Sequence, residues 1–274
     1  MLSADEGLKV LIRGGGEMAS GIAHRLHQCH MKVLITEIEA PTAVRRTVAF
    51  AEAVYQGYQI IEGVKTLKVS AAAAVGEQWQ RGNIPLLVDP DARIRMTVMP
   101  DVIVDAIMAK KTAHTKISDA PLVIGVGPGF IAGTNVHAVV ESNRGYHLGR
   151  VLWSGAAECD TAVPAPVAGF THARVLRVPC AGRFRALREI GDLVKVGETV
   201  AEVKGVPIKA EIAGMLRGIL KNDIEVAQGV KAGDVDPRGQ KEYCYSISDK
   251  ARAIAGGVLE AILHTFENLK VPAA

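Results

Sequence analysis

The glycine-rich turn after the first predicted strand constrains this chain more than any other feature. Residues 8–13 contain an apolar run, Val10 to Ile12, typical of a buried parallel strand, and Gly14, Gly15 and Gly16 follow these residues directly. Small and apolar residues then recur at helical spacing, and a second β-branched strand ends at Glu37. The order strand, glycine turn, helix, strand and acid predicts the opening βαβ unit of a parallel sheet.

This turn has the composition of a binding site for a dinucleotide. Gly14 would permit the tight turn, Gly16 would let the backbone approach a pyrophosphate, and Ala19 would let the helix pack near the strand. The helix N-terminus would hold the phosphates, and Glu37 would bond a ribose hydroxyl. Glu17 would repel a phosphate, so we expect it to point outward. The alternative is a structural turn whose ligand site is lost or altered.

A second glycine loop follows another buried strand. Residues 121–124 run into Gly127 and Gly129, at the carboxyl end where open α/β sheets place ligands. Asp105 ends the preceding strand and either approaches the first turn or caps a helix. The candidate ligand-binding residues are Gly14, Gly15, Gly16, Met18, Ala19, Glu37, Asp105, Gly127 and Gly129. The spacing of His, Cys, Asp and Glu predicts no metal site, and the sequence identifies no catalytic residue.

Two basic residues follow the second strand. Residues 42–54 have the apolar spacing of a helix, and Arg45 and Arg46 lie within it. They could bind a 2′-phosphate, or they could belong to a solvated helix face, and we favour the solvated face.

From about residue 160 the sequence repeats itself at an offset of 32. Phe184 corresponds to Leu216, Val194 to Val226, and Val203 to Val235. Two such halves predict a small flattened β barrel made by duplication. The pattern resembles the barrel-sandwich hybrid of biotinyl and lipoyl carrier domains. Lys204 does not fall at the expected spacing, so we expect a barrel without a modified lysine.

The last part of the chain predicts a helix. Ser248 is a suitable N-cap, and a broad apolar stripe follows it. Gly256 and Gly257 imply close packing against a neighbouring element. The expected fold class is α/β: a Rossmann-like parallel sheet domain, a barrel-sandwich hybrid domain and a C-terminal helix that packs on the first domain. The expected limits are 1–158, 159–240 and 241–274.

Charge and cysteine usage exclude several classes of protein. The net charge of +3 is spread over mixed acids and bases, which gives no case for nucleic acid or a membrane surface. The sequence has no run of 18 apolar residues and an acidic start unlike a signal peptide. Its four cysteines form no paired spacing. We therefore expect a cytoplasmic protein.

A family resemblance rests on six segments of the chain: residues 13–21, 45–50, 104–110, 124–130, 236–239 and 249–254. Together these segments resemble the YqeB-type accessory proteins found with selenium-dependent molybdenum hydroxylases. This family is akin to the maturation factors of xanthine dehydrogenase, which have a Rossmann-like domain.

The resemblance implies an accessory or maturation protein for a molybdenum hydroxylase. Its implied ligand is a nucleotide or molybdopterin dinucleotide, and its implied partner is a molybdenum hydroxylase or the maturation machinery. A homo-oligomer is compatible with the sequence. One alternative is an NAD(P)-dependent oxidoreductase, although no Ser-Tyr-x-x-x-Lys set is visible. The other is a non-catalytic scaffold with a vestigial nucleotide fold. Whether the protein is an enzyme stays open.

Overall fold

The computed structural model describes residues 7–108 and 115–266. The described chain forms one large sheet covered on both faces, followed by a region of short strands and a final helix. Ala109 and Lys110, which belong to the resemblance at residues 104–110, lie outside the described residues. Residues 1–6 of the predicted first domain and residues 267–274 of the predicted C-terminal region also lie outside the described residues. The predicted domain limits stay a prediction.

The large sheet has nine strands in the described residues, in the order β10-β9-β7-β6-β1-β2-β5-β4-β3. The strands from β9 to β4 pair in parallel, whereas β10 and β3 pair antiparallel at the two edges. Their bounds are β1 Lys9–Arg13, β2 Lys32–Glu37, β3 Tyr58–Ile61, β4 Val64–Val69, β5 Ile84–Val88, β6 Val102–Asp105, β7 Leu122–Val126, β9 Ala138–Val140 and β10 Val151–Leu152. A separate pair joins β8 Ile131–Ala132 to β11 Gly155–Ala156.

Five α-helices occur among the residues described. They are α1 Glu17–Gln28, α2 Ala53–Gln56, α3 Ala73–Gln80, α4 Arg95–Val98 and α5 Asp249–Thr265. Side chains on a strand alternate between the faces of a sheet. Val10 and Ile12 therefore pack into the core under α1 and α5, while Leu11 packs into the core on the opposite face with Val75 of α3. None of these helices has the length and apolar character needed to cross a membrane.

The short strands form two separate four-stranded sheets, β12-β19-β17-β14 and β16-β15-β13-β18. Corresponding strands of the repeat begin 32 residues apart: Gly182 and Gly214, Leu193 and Glu225, Thr199 and Lys231. Their buried side chains share one core around Phe184 and Leu216. The bounds are β12 Val175–Arg177, β13 Gly182–Ala186, β14 Leu193–Val194, β15 Thr199–Val203, β16 Val206–Lys209, β17 Gly214–Ile219, β18 Glu225–Val226 and β19 Lys231–Asp236.

The predicted fold class, with its Rossmann-like parallel sheet and barrel-sandwich hybrid, is wrong. The large sheet is mixed, because Glu62 and Gly63 both have positive φ and form a two-residue turn that reverses the chain. Residues 58–69 therefore form an antiparallel hairpin at the sheet edge. The two four-stranded sheets do not join into a closed barrel. The protein is a mixed α/β fold with one large parallel and antiparallel sheet.

The predicted helix over residues 42–54 is also wrong. This segment forms two short 3-10 turns, at Arg46–Val48 and Phe50–Glu52, before α2. The segment runs between the two regions: the carbonyl of Val44 accepts a hydrogen bond from the Ile219 amide at 2.8 Å. The conformation of this segment is therefore set by contacts with distant strands and not by its helical periodicity.

The final helix begins as predicted, because the Ser248 side chain accepts a hydrogen bond from the Ala251 amide. It packs on α1, where a Cβ atom at Gly21 would lie 2.8 Å from the Ala251 side chain. The predicted close packing is confirmed at Gly257, whose added Cβ would lie 2.1 Å from the Gly149 oxygen. It is wrong at Gly256, where an added Cβ would meet no described atom within 4 Å outside the backbone of the helix itself.

Candidate functional site

A cavity of about 630 Å³ lies between the large sheet and the short-strand region. We call it the basic cleft. Its walls come from the start of α1, residues 142–144, residues 158–165, strands β12, β17 and β19, and the start of α5. This volume lies in the range of small-molecule binding sites.

Cationic side chains outnumber acidic ones around the basic cleft. The acidic residues in its walls are Glu17, Glu158, Asp160 and Asp234. The cationic residues in its walls are Arg45, Arg144, Arg174, Arg177, Arg217, Lys231 and Lys250. Because a cleft lined mainly by one sign of charge concentrates ions of the other, this arrangement favours an anion.

Lys250 is a cation of the basic cleft whose ammonium group can contact a ligand directly. It is half-buried, and its ammonium group has no hydrogen bond or ion pair within residues 7–108 and 115–266. Burial, and then the nearby charge of Arg144, lower the pKa of Lys250. Burial lowers the pKa of Lys231 as well. An anion bound beside these lysines would stabilise their charged forms and raise both pKa values again.

Other cations of the basic cleft are fixed in place by buried carboxylates. Arg174 and Arg217 both pair with Asp234, and Arg217 also donates to Asp236 at 3.0 Å. Burial alone would raise the pKa of Asp234, but Lys231, Arg217 and Arg174 hold it below its usual value. Asp234 therefore stays ionised and orients the two guanidinium groups.

Arg45 connects the start of α1 to the segment before α5. It is only 5% exposed, pairs with Glu17, and donates to the carbonyls of Tyr243 at 2.6 Å and Ser246 at 3.2 Å. Its Nε atom has no hydrogen-bond partner among the described residues. The predictions that Arg45 is solvated and that Glu17 points outward were wrong, because the two side chains pair in the wall of the basic cleft.

Glu141 holds together two loops of the basic cleft. Its carboxylate is 2% exposed and accepts hydrogen bonds from the amides of Ser142, Asn143 and Glu158, each at 2.7 Å. Hydrogen bonds from backbone amides to a carboxylate are strong and directional. They fix residues 142–144 against residue 158 and so shape the opening of the cleft.

A smaller cavity of about 370 Å³ adjoins the basic cleft. Its walls include the first glycine turn, the end of β2 and residues 106–108. Glu17, Met18 and Met108 line both cavities. The two cavities are therefore neighbours that share a wall.

The structure brings only part of the predicted site together. Gly14, Gly16, Met18 and Glu37 line the smaller cavity. The remaining predicted residues, which are not among those that line either cavity, are Gly15, Ala19, Asp105, Gly127 and Gly129.

These remaining residues serve packing and turns. A Cβ at Gly15 would lie 2.9 Å from the Ala51 amide nitrogen, and Ala19 is buried against the sheet. Gly127 and Gly129 have positive φ values in the loop after β7, and a Cβ at Gly127 would lie 2.4 Å from the Ser142 oxygen.

Asp105 is 1% exposed and forms a buried polar cluster. Its Oδ2 accepts from Arg13 at 3.1 Å and from the Thr115 hydroxyl at 2.5 Å, and its Oδ1 accepts from the Ile107 amide at 3.2 Å. These contacts occupy the carboxylate within the protein.

Glu37 occupies the glycine turn that was predicted to bind phosphate. Its Oε2 accepts from the Gly15 amide at 2.7 Å, and its Oε1 accepts from the Ile38 amide at 2.8 Å. Burial raises the pKa of Glu37 against the opposing effect of these two hydrogen bonds. A phosphate at this turn would therefore meet a carboxylate in place of a free amide.

Sequence reasoning did not find the basic cleft. Arg144, Arg217, Lys231 and Lys250 belong to separate segments with no common motif. Their side chains come together only because the short-strand region and α5 fold against the large sheet. The described residues contain no group of three or more His, Cys, Asp or Glu placed to hold a metal ion.

Comparison with known proteins gives a close relative. The chain is 46% identical over 254 residues to the "Uncharacterized protein YqeB" of Escherichia coli. These matched residues make up 93% of this chain and 47% of the relative. This likeness supports the predicted membership of the YqeB-type family. The chain spans about half the length of the curated relative it matches. No family model matches.

Among solved structures, three matches each cover 84% of this chain and 85% of the other. The ectoine utilization protein EutE (DoeB) of Ruegeria pomeroyi is 13% identical with a TM-score of 0.25. An aspartoacylase family protein of Mesorhizobium loti is 12% identical with a TM-score of 0.27. A succinylglutamate desuccinylase of Silicibacter is 13% identical with a TM-score of 0.24. At these scores the matches carry no argument about activity.

The predicted function, maturation of a molybdenum hydroxylase through a bound nucleotide, is wrong. The physical reason is local: the Glu37 carboxylate takes the Gly15 amide that a phosphate would need. The same contact removes the basis of the NAD(P)-dependent oxidoreductase alternative.

Proposed function

We propose that this member of the YqeB-type family binds a small organic anion with more than one acidic group in the basic cleft. The observation that carries the proposal is the surplus of cationic side chains in the walls, including Lys250 with no ion pair in the described chain. A single acid group would reach only part of this surface. A ligand with two or more acid groups can contact cations on opposite walls.

The buried ion pairs support this reading. Asp234 and Asp236 together receive ion pairs from Arg174, Arg217, Arg238 and Lys231, so the cations of this network outnumber its acids. The two buried arginines balance the two aspartates, so the excess positive charge lies on the partly exposed side chains of Lys231 and Arg238. An acidic ligand beside Lys231, which lines the cleft, would balance part of this excess. Its binding would be weakened by salt, because exposed parts of the cleft are screened.

The test is calorimetric titration of the full chain with citrate, succinate and inorganic phosphate, each at low and at physiological ionic strength. We expect binding that weakens as salt is added. Lys250→Ala should lower the affinity at least about tenfold, the loss expected of a charge-assisted contact. Lys209→Ala is the matched control, because Lys209 is exposed on β16 and does not line the cleft.

Two outcomes would overturn the proposal. One is the absence of binding by every anion of the panel, which would favour a scaffold. The other is an equal loss of affinity in the Lys250→Ala and Lys209→Ala variants, because general charge and not the cleft would then cause the binding. The predicted cofactors, molybdopterin dinucleotide and NAD(P), and the predicted molybdenum hydroxylase partner stay predictions that this proposal does not require.

A further inference from the structure

We infer that the basic cleft and the smaller cavity hold the two ends of one ligand. The inference rests on the proposed function, and it adds the class of molecule: an organic acid whose acidic end is joined to an uncharged ring or hydrocarbon end. The acidic end would occupy the basic cleft, and the uncharged end would occupy the smaller cavity.

The first observation is the shared wall. Glu17, Met18 and Met108 line both cavities, so a ligand that passes these residues contacts both spaces. Met18 and Met108 are half-buried. Methionine side chains are unbranched and adapt to different neighbours, so this wall can yield to an inserted group more easily than one of branched side chains.

The second observation is the apolar lining of the smaller cavity. Besides the two methionines, six apolar side chains line this cavity: Ile38, Pro41, Ala43, Pro90, Ala106 and Ile107. A pocket of this size lined by apolar side chains favours an uncharged, carbon-rich group.

The third observation is that the charged groups of the smaller cavity already have partners. Arg13 pairs with Asp105 and donates to the Pro90 carbonyl at 3.2 Å. Glu37 accepts from the Gly15 and Ile38 amides, and Glu17 pairs with Arg45. The two glutamates give this space no surplus of positive charge, so an acidic group is favoured in the basic cleft instead. The charges therefore fix the direction in which the ligand lies.

The test compares 2-naphthyl phosphate, inorganic phosphate and 2-naphthol by calorimetric titration of the full chain. We expect naphthyl phosphate to bind at least about tenfold more tightly than inorganic phosphate, because the ring gains apolar burial. Naphthol should bind more weakly than naphthyl phosphate, because it lacks the acidic end. Lys250→Ala should lower the affinities of both phosphates by the same factor.

Two variants locate the ring. Ala43→Phe places a large side chain at the half-buried wall of the smaller cavity, and Thr42→Trp does so from an exposed position of the same wall. We expect each variant to lose the tenfold gain of naphthyl phosphate while its affinity for inorganic phosphate is unchanged. Thr42→Trp keeps the test decisive if Ala43→Phe does not fold.

The outcomes separate this inference from the proposed function. Equal affinity of the two phosphates would overturn the inference and leave the anion site intact. Survival of the tenfold gain in a folded Ala43→Phe or Thr42→Trp variant would also overturn it, because the ring would then lie elsewhere. The proposed function itself would be overturned if none of the four anions bound: neither 2-naphthyl phosphate nor inorganic phosphate, and neither citrate nor succinate.

Discussion

Glu37 binds the glycine turn of its own chain: its Oε2 accepts a hydrogen bond from the Gly15 amide at 2.7 Å. The same carboxylate accepts from the Ile38 amide at 2.8 Å. The turn therefore carries an internal anion at the position where a ligand phosphate was predicted. This one contact changes the function that the glycine pattern indicates.

Glu37→Ala should destabilise the protein, because it leaves two backbone amides without their acceptor. The expected loss is about 1–3 kcal/mol in the free energy of unfolding, the usual cost of unsatisfied polar groups. Urea unfolding followed by circular dichroism measures it. Glu39→Ala is the control, since Glu39 is exposed and should change stability by less than about 0.5 kcal/mol. Equal stability of Glu37→Ala and the natural protein would contradict the structural role of Glu37.

Asp234→Asn should be among the most damaging changes in the short-strand region. Asp234 is buried and pairs with Arg174 and Arg217, so its neutral replacement leaves two guanidinium groups poorly compensated. We expect a loss of about 3–5 kcal/mol in the free energy of unfolding. Asp223→Asn breaks the exposed pair with Arg183 and should cost at most about 1 kcal/mol. Similar losses for the two variants, measured by denaturant unfolding, would argue against the buried network.

Gly257→Ala and Gly256→Ala should have opposite effects on stability. A Cβ at Gly257 would lie 2.1 Å from the Gly149 oxygen, so α5 must shift away from the sheet at a cost of about 1–3 kcal/mol. A Cβ at Gly256 would meet no described atom within 4 Å outside the backbone of the helix itself. Alanine there should therefore stabilise the helix by up to about 1 kcal/mol. Melting temperatures of the two variants check this pair. A destabilised Gly256→Ala variant would show that the packing of α5 differs from the structure.

The ion pair between Arg144 and Asp249 should make stability depend on pH in the acidic range. The Arg144 hydrogen bond lowers the pKa of Asp249 from 3.8 to about 2. A carboxyl group with a depressed folded-state pKa stabilises the protein above its unfolded pKa and loses that contribution as pH falls. The contribution should therefore disappear between about pH 4 and pH 2.

The measurement is the difference in unfolding free energy between the natural protein and Asp249→Asn, followed from pH 5 to pH 2. Because the Asp249 side chain is largely exposed, solvent screening keeps the effect small. The difference should shrink across this range. A difference that stays constant with pH would show that Asp249 does not titrate as the ion pair requires.

Local patterns predicted some features of the fold well. The strand before Gly14 and the N-cap at Ser248 depend on neighbouring residues, and both occur as the sequence indicated. The 32-residue repeat reappears in the starts of corresponding strands. The prediction of a helix over residues 42–54 is wrong, because the Val44 carbonyl in this segment accepts a hydrogen bond from the amide of Ile219, a residue remote in sequence. Periodicity carries no information about such a contact.

The sequence by itself determined the first strand and its glycine turn, the start of the final helix and which residues are apolar enough to form cores. Only the tertiary structure decided that Glu37 fills the glycine turn and that Lys250, Lys231 and Arg217 line one cleft. The physical reason is range. Capping and strand alternation act over a few residues, whereas charges from separate segments become neighbours only after the sheets and α5 have packed together.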